Sequence, residues 1–189
     1  MRISNRGLST VLSAPFHGRN YIAAANMLRV YEKPLDAYAR YLLGSGSYPA
    51  TLYARTPMGR LPLTVWSAHD VLTVNEVFCR HDYPAQQSDS IFVDFGSNIG
   101  VSAAYFLSRG RGSFAYLYEP LPQNIRRLQH NLQGFEQRYA LQVAAVGVQR
   151  GEVQFGYEQT GRYGGIGRRT GRYVPVQCLD SNEVLESDR

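Results

Sequence analysis

The sequence has few cysteines and no long apolar run, and each shortage excludes a class of protein. Its 189 residues contain two cysteines, Cys79 and Cys178, too few for a disulfide-stapled scaffold, so we expect two free thiols. No stretch approaches the roughly 18 apolar residues that mark a membrane-spanning helix, and residues 1–10 lack a signal-peptide pattern. We therefore expect a soluble, cytoplasmic protein without membrane contact.

Potential metal ligands are also scarce and poorly spaced. Cys79, His81 and Asp82 lie close together in the sequence, with His69 and Asp70 upstream. Their spacing fits no standard zinc pattern, in which cysteines or histidines come in close pairs. We predict no metal site.

Lysine is nearly absent. Lys33 is the single lysine beside nineteen arginines, and the formal net charge is +5. This skew is as typical of a GC-rich genome as of selection for an acidic partner. With 44% hydrophobic and 19% charged residues, the composition is that of a globular chain that can bury a core.

The N-terminal third combines helical and strand patterns. Apolar residues recur at intervals of three and four from Tyr21 to Leu43, which predicts two helices separated at Pro34. Residues 51–55 and 61–66 then form a predicted hairpin around a proline-led turn. We predict a helix and hairpin extension over residues 1–68.

The second predicted domain, residues 69–189, begins with a helix over 71–78, for which Asp70 is the expected N-cap. A polar linker then leads to Ile91–Phe95. This run is apolar except for Asp94, as expected of a parallel strand that is buried on both faces. Because open α/β sheets bind ligands at the carboxyl ends of such strands, we expect a site beside Asp94.

The turn that follows reads D-x-G-x-N-x-G, from Asp94 to Gly100. A dinucleotide-binding turn would read G-x-G-x-x-G and hold a pyrophosphate on backbone N–H groups. The Asp94 carboxylate would repel a pyrophosphate but attract an ammonium or sulfonium group. The next apolar run, 114–118, ends at Glu119, which can accept hydrogen bonds from both hydroxyls of an unphosphorylated ribose. S-adenosylmethionine has all of these groups.

Each of these residues also has a purely structural interpretation. The glycines can serve backbone geometry alone, Asp94 can cap the helix, and Glu119 can be a solvated strand end. Their joint occurrence in one strand–helix–strand unit favours the cofactor interpretation.

Further elements follow the turn. We predict a helix capped by Ser97 or Asn98 and stopped near Gly110, then a second, proline-led helix. The remaining predicted elements are a strand over 139–146, two strands over 152–157 and 173–178 that pair as a long hairpin, and a capping box over 180–183 that opens a last helix.

Four segments of the chain resemble the FkbM-type family of S-adenosylmethionine-dependent methyltransferases. They read VDFGSNIGVSAAYF, YEPLPQNIRRLQHNL, AAVGVQRGEVQF and VPVQCLDSNEVLE, in that order, and the match runs from about residue 69 to residue 189. The resemblance implies an α/β fold with a Rossmann-like class I methyltransferase sheet. It also implies O-methylation of a hydroxyl on a sugar, glycan or polyketide-like small molecule.

The resemblance further implies a set of site residues. Glu76 and Tyr83 would reach the mouth of the cofactor site, and together with His81 they are the candidate bases. The residues implied to line the S-adenosylmethionine pocket are Asp94, Gly96, Ser97, Asn98, Gly100 and Glu119, with Val146 near the adenine.

The chain departs from the family pattern at its C-terminus. Family members continue into further strands that complete the sheet, so here the sheet is expected to be incomplete and the strand at 91–95 to have an open edge. We expect a homodimer, the N-terminal extension or a continuation of the gene to cover that edge.

A rival hypothesis is a catalytically incomplete module that binds nucleosides or nucleic acid. Residues 156–173 carry four arginines interleaved with tyrosines, a mixture that can bind phosphates and stack on bases. No second basic stripe accompanies this segment, so we interpret it as a solvated loop and consider nucleic acid an unlikely partner. The loop could also cover the acceptor substrate.

Overall fold

The computed structural model describes residues 2–3, 6–7, 18–80, 82–83, 85, 90–158 and 164–187. The chain divides into two compact units, Met1–Gln87 and Ser88–Arg189. Both contain helices and strands, and the fold is mixed α/β with several sheets. None of the described helices has the length and apolar character that crossing a membrane requires.

The N-terminal unit confirms the predicted helices and hairpin. Pro34 begins the second helix, where its missing N–H costs nothing. The two longer strands pair antiparallel, with the buried Leu52 opposite the buried Leu63. Its elements are β1 (Arg2–Ile3), β2 (Arg6–Gly7), α1 (Gly18–Val30), α2 (Pro34–Leu43), β3 (Ala50–Thr56), β4 (Gly59–Val65) and α3 (Ala68–Phe78).

The start of α3 differs from the prediction, because Ser67 and not Asp70 is the N-cap. The Ser67 backbone is extended, and its hydroxyl accepts a hydrogen bond from the N–H of Asp70. The Asp70 carboxylate in turn accepts from the N–H of Trp66, at 2.7 Å. Asp70 is therefore not the cap itself. It is the third residue of the helix, and its carboxylate bonds back to the residue that precedes the cap.

Helix α3 packs within the N-terminal unit. The Tyr31 hydroxyl donates to Oδ1 of Asn75 at 3.0 Å, and the side-chain amide of Asn26 donates to the carbonyl of Cys79 at 2.7 Å. The compact unit that contains this helix continues to Gln87. The domain boundary predicted from the sequence, between residues 68 and 69, stays a prediction.

The C-terminal unit holds a parallel sheet of three strands. In spatial order they are β5 (Ile91–Phe95), β6 (Phe114–Tyr118) and β7 (Tyr139–Gln142). Strands β5 and β6 match their predicted bounds, and their register places Asp94 opposite Leu117. Helix α4 begins at Val101, and its N-cap is Gly100 rather than the predicted Ser97 or Asn98. The elements are β5 (Ile91–Phe95), α4 (Val101–Leu107), β6 (Phe114–Tyr118), α5 (Pro122–Asn131), a 3₁₀ turn (Glu136–Arg138) and β7 (Tyr139–Gln142).

The predicted strand over 139–146 is two strands in two sheets. After β7, the chain forms β8 (Ala145–Gly147), which pairs in parallel with β11 (Tyr173–Asp180). These two strands belong to a four-stranded sheet whose spatial order is β10, β9, β11, β8. The predicted long hairpin is confirmed, since β9 and β11 pair antiparallel. The elements are β8 (Ala145–Gly147), β9 (Gly151–Tyr157), β10 (Gly164–Ile166), β11 (Tyr173–Asp180) and α6 (Ser181–Ser187).

Part of the segment interpreted as a solvated loop is ordered against β9. Strand β10 pairs with β9, and the N–H of Tyr157 donates to the carbonyl of Arg172 at 3.0 Å. The carbonyl of Arg168 approaches Gly156 so closely that a Cβ at Gly156 would lie 2.3 Å from it. Residues 159–163 of this segment lie outside the described residues.

The outer side of β5 faces no other strand in the described part of the chain, as the sequence predicted. Ile91 is 69% exposed and Phe95 is 43% exposed. The prediction that this strand is buried on both faces is therefore wrong, because β5 lies at the edge of its sheet and not at the centre. What covers this edge stays a prediction.

Arg138 ties the end of α4 to the start of β6. Its guanidinium donates to the carbonyls of Leu107 at 2.9 Å, Ser113 at 3.0 Å and Gly110. These carbonyls lie at the helix end and in the following loop, where the backbone lacks helical partners. The Arg138 side chain thus fixes the loop that connects α4 to β6.

We expect Arg138→Met to lower the free energy of unfolding by about 2 kcal/mol, because it leaves three carbonyls without their charged donor. Arg126→Met is the matched control, since Arg126 is exposed on α5. Urea denaturation of both variants measures the difference. Equal stability of the two variants would contradict the assigned role.

Candidate functional site

The turn after β5 is bound to the end of β6. The N–H groups of Gly96 and Ser97 both donate to the carbonyl of Tyr118, at 2.9 and 3.0 Å. The Ser97 hydroxyl donates to the Asp94 carbonyl at 2.9 Å and accepts from the N–H of Tyr118 at 3.2 Å. These bonds hold the tips of the two strands together, as the predicted site requires.

The D-x-G-x-N-x-G pattern has a conformational origin. Gly96, Asn98 and Gly100 have φ values of 81°, 50° and 79°. Positive φ is accessible to glycine without steric cost and is tolerated by asparagine better than by most residues. The alternation of these residue types therefore specifies the path of the turn.

The two glycines of the turn differ in what surrounds them. A Cβ at Gly100 would lie 3.1 Å from Cγ and 3.4 Å from Cα of Leu128, so this glycine permits close packing of the turn on α5. A Cβ at Gly96 would meet nothing within 4 Å. Gly96 thus leaves open space in front of the turn, where a ligand could approach the backbone.

Glu119 is 4% exposed, and both of its carboxylate oxygens accept hydrogen bonds. Oε2 accepts from the N–H of Asn98 at 2.8 Å, while Oε1 accepts from the N–H of Leu121 at 3.0 Å and from the side-chain amide of Asn124 at 3.1 Å. Burial raises the pKa of Glu119, and these three bonds oppose that rise. Glu119 is therefore a buried part of the turn and not a solvated strand end.

Asp94 is half-buried at the end of β5, and its Oδ2 accepts a hydrogen bond from the Ser102 hydroxyl at 2.5 Å. Burial raises the pKa of Asp94, and hydrogen bonding by serine hydroxyls opposes the rise. The negative charge of Asp94 also raises the pKa of Glu119, so the two carboxyls are close enough to repel each other. They lie at the same end of adjacent parallel strands.

The backbone of the turn offers little to an anion. The N–H groups of Gly96 and Ser97 are bonded to Tyr118, that of Asn98 to Glu119, and that of Gly100 to the Ser97 carbonyl at 2.8 Å. With four N–H groups committed and two carboxyls nearby, the turn does not match a pyrophosphate cradle. A cation-bearing ligand fits the local charge.

The structure does not bring every predicted residue to this turn. Val146 lies in β8, where it pairs with Leu179 in the other sheet, and its place near the adenine stays a prediction. Glu76 is half-buried on α3 and Tyr83 is 50% exposed, and both belong to the N-terminal unit. Their approach to the cofactor also stays a prediction. His81 lies outside the described residues.

Two polar contacts of the site were not predicted from the sequence. Ser102 donates to Asp94 and Asn124 donates to Glu119. Each donor lies in the first turn of the helix that follows its carboxylate, at positions eight and five residues further along. Polar residues just after a strand-end acid could have signalled them.

Neither a metal site nor a reactive thiol emerges from the described residues. No group of three or more His, Cys, Asp or Glu residues among them is arranged to hold a metal ion. Cys79 and Cys178 are free and buried. Burial raises the pKa of the Cys79 thiol to about 12, so this thiol stays protonated near neutral pH.

The N-terminal unit contains a cavity of about 430 Å³ between α2 and β3. Arg40 and Lys33 contribute positive charge to its lining. The Arg40 guanidinium is already paired with Asp36 at 2.9 Å and bonded to the Ser47 carbonyl at 3.0 Å. Lys33 lies exposed at the surface, so the cavity lacks a built set of ligand-binding groups.

Comparison with known proteins gives a weak likeness to a solved structure. No protein-family model and no curated protein matches the chain. Among solved structures, the chain is similar to the methyltransferase FkbM from Methylobacillus flagellatus KT, with 14% identity and a TM-score of 0.36. The similarity covers 89% of this chain but 41% of that one, so the chain spans less than half the length of that structure.

We expect Gly100→Ala to lower the free energy of unfolding by about 3 kcal/mol, because it combines positive φ with the contact to Leu128. Gly134→Ala is the matched control, since Gly134 also has positive φ but has open space around it. It should cost about 1 kcal/mol. Denaturant unfolding measures both values, and equal losses would mean that the packing on Leu128 is unimportant.

We expect Asp94→Asn to raise the melting temperature at about pH 7.5. A carboxyl with a raised pKa binds its proton more tightly in the folded state, so the fold loses stability as pH rises through that pKa. Asparagine removes this cost, and the gain should shrink as the pH falls toward the ordinary range of aspartate. Calorimetry at several pH values tests this, and a lower melting temperature at neutral pH would contradict it.

Proposed function

We propose that this chain binds S-adenosylmethionine and is a methyltransferase of FkbM type that acts on a hydroxyl of a sugar, glycan or polyketide-like small molecule. The observation that carries the proposal is the pair of half-buried and buried carboxyls, Asp94 and Glu119, at the tips of adjacent parallel strands. The open space at Gly96 lies in the turn between them. The FkbM-like segments of the sequence support the family assignment.

In this proposal Asp94 receives the positively charged part of the cofactor. Its Oδ2 is held by Ser102, so Oδ1 is the oxygen that we expect a ligand to contact. Attraction between opposite charges is stronger where water is partly excluded. Asp94 can therefore supply a directional contact to the ammonium group of the methionine moiety.

Glu119 orients the ribose in the same proposal. Its Oε1 accepts two protein hydrogen bonds and its Oε2 accepts one. A carboxylate can accept about four, so Oε2 retains capacity for a ribose hydroxyl. The Asn98 N–H bond fixes the direction in which that capacity is offered.

The bound cofactor would supply a methyl group on a sulfonium, which is a good leaving group. The chain's own residues would bind and align it, and alignment of the acceptor with the methyl group would account for much of the rate. The acceptor site and the base belong to the proposal only as expectations, with Glu76 and Tyr83 as candidates.

A second candidate is an RNA-interaction module. Arg168, Arg169 and Arg172 are exposed beside Tyr173, which is itself 51% exposed. Such a patch can attract phosphates and stack on a base. It would bind with a steep dependence on salt and without any role for Asp94.

Calorimetric titration with S-adenosylhomocysteine tests the first proposal. We expect the wild type to bind and Asp94→Asn to weaken binding by about tenfold, because a charge-assisted contact is lost. Glu152→Gln is the charge-matched control, since Glu152 is exposed on β9. Glu119 is unsuitable for this test, because its replacement would disturb the turn whatever its role.

Gly96→Asn provides an independent arm of the experiment. Asparagine tolerates positive φ, so the fold should persist while the new side chain fills the open space and abolishes binding. Gly134→Asn is the control at another open, positive-φ glycine. The second candidate would be favoured if the wild type did not bind S-adenosylhomocysteine but did bind RNA. In that case, replacing Arg168, Arg169 and Arg172 by alanine should abolish RNA binding.

A further inference from the structure

Ser102 joins the first turn of α4 to the end of β5. It is the second residue of that helix. Here it crosses to the end of β5 and donates to Oδ2 of Asp94 at 2.5 Å. Both side chains are half-buried, so the contact is partly shielded from water.

The contact fixes the orientation of the Asp94 carboxylate. With Oδ2 held by the helix, rotation of the carboxylate is restricted and Oδ1 keeps one direction. A ligand that bonds to Oδ1 then finds an acceptor that is already ordered, which reduces the entropy lost on binding.

The same contact favours the ionised form of Asp94. Burial favours a neutral Asp94, and α4 carries no charged residue that would offset it. Hydrogen bonding by Ser97 also lowers the pKa of Asp94, but the Ser97 hydroxyl donates to the main-chain carbonyl of Asp94 at 2.9 Å. The Ser102 hydroxyl donates to the carboxylate itself, at Oδ2.

We propose that Ser102 is a positioning residue that holds Asp94 in the orientation and ionisation state needed to receive a cationic ligand. The inference rests on the proposed function for the identity of that ligand. Ser102 itself need not touch it. A hydroxyl that touched the ligand directly would lower affinity equally at every pH when removed, whereas a positioning residue acts through the titration of Asp94.

The first test measures the titration of Asp94 in the absence of ligand. Carbon-13 labelling of aspartate carboxyls allows the titration of Asp94 to be followed by NMR, with Asp94→Asn to assign its signal. We expect Ser102→Ala to move the titration midpoint to higher pH and Ser102→Thr, which keeps the hydroxyl, to restore it. An unmoved midpoint in Ser102→Ala would overturn the role of Ser102.

The second test measures S-adenosylhomocysteine binding by calorimetry at about pH 6 and pH 8.5. Ser102→Ala should bind more weakly than the wild type at both pH values, because the carboxylate is no longer held in one direction. The loss should be larger, about tenfold, at the lower pH, because Asp94 binds its proton more tightly without Ser102. An equal loss at both pH values would overturn the inference. No binding by the wild type at either pH would instead overturn the proposed function, while the NMR titration still decides the link between Ser102 and Asp94.

Discussion

A single buried carboxylate holds the candidate site together. Glu119 accepts hydrogen bonds from the turn at Asn98, from the start of α5 at Leu121, and from Asn124 within that helix. A buried carboxylate without such partners would be very costly, and the donors without it would be left unsatisfied. The path of the glycine turn, and with it the position of Asp94, depends on this one side chain.

The backbone of the site is held by hydrogen bonds, whereas its two carboxyls lie in surroundings that disfavour their ionised forms. Burial raises the pKa of both Asp94 and Glu119, and the negative charge of Asp94 raises the pKa of Glu119 further. Such unfavourable electrostatics in a folded protein are typical of sites that bind or react, because a ligand of opposite charge relieves them. A bound cation would stabilise the ionised form of both carboxyls.

The sequence predicted features whose signals are local. Strand β5 is bounded by polar linker and glycine turn, and Pro34 cannot continue a helix, so both were predicted correctly. The choice of Gly100 over its neighbours as N-cap depends on backbone angles that composition does not determine. The division of the predicted strand 139–146 into β7 and β8 depends on which sheet each part joins. Ser102 and its partner Asp94 lie on different elements, so their contact has no local signal. These outcomes are set by tertiary packing, so the two carboxyls of the site were predictable but their donors were not.

The open edge of β5 lies on the strand that carries Asp94. No strand in the described ranges pairs with the backbone groups on that edge, and Ile91 and Phe95 add exposed apolar surface to it. A strand that paired there would change the twist of β5 and the surroundings of its carboxyl end. Edge pairing and occupancy of the glycine turn would then be thermodynamically linked, so that each changes the affinity of the other by the same factor.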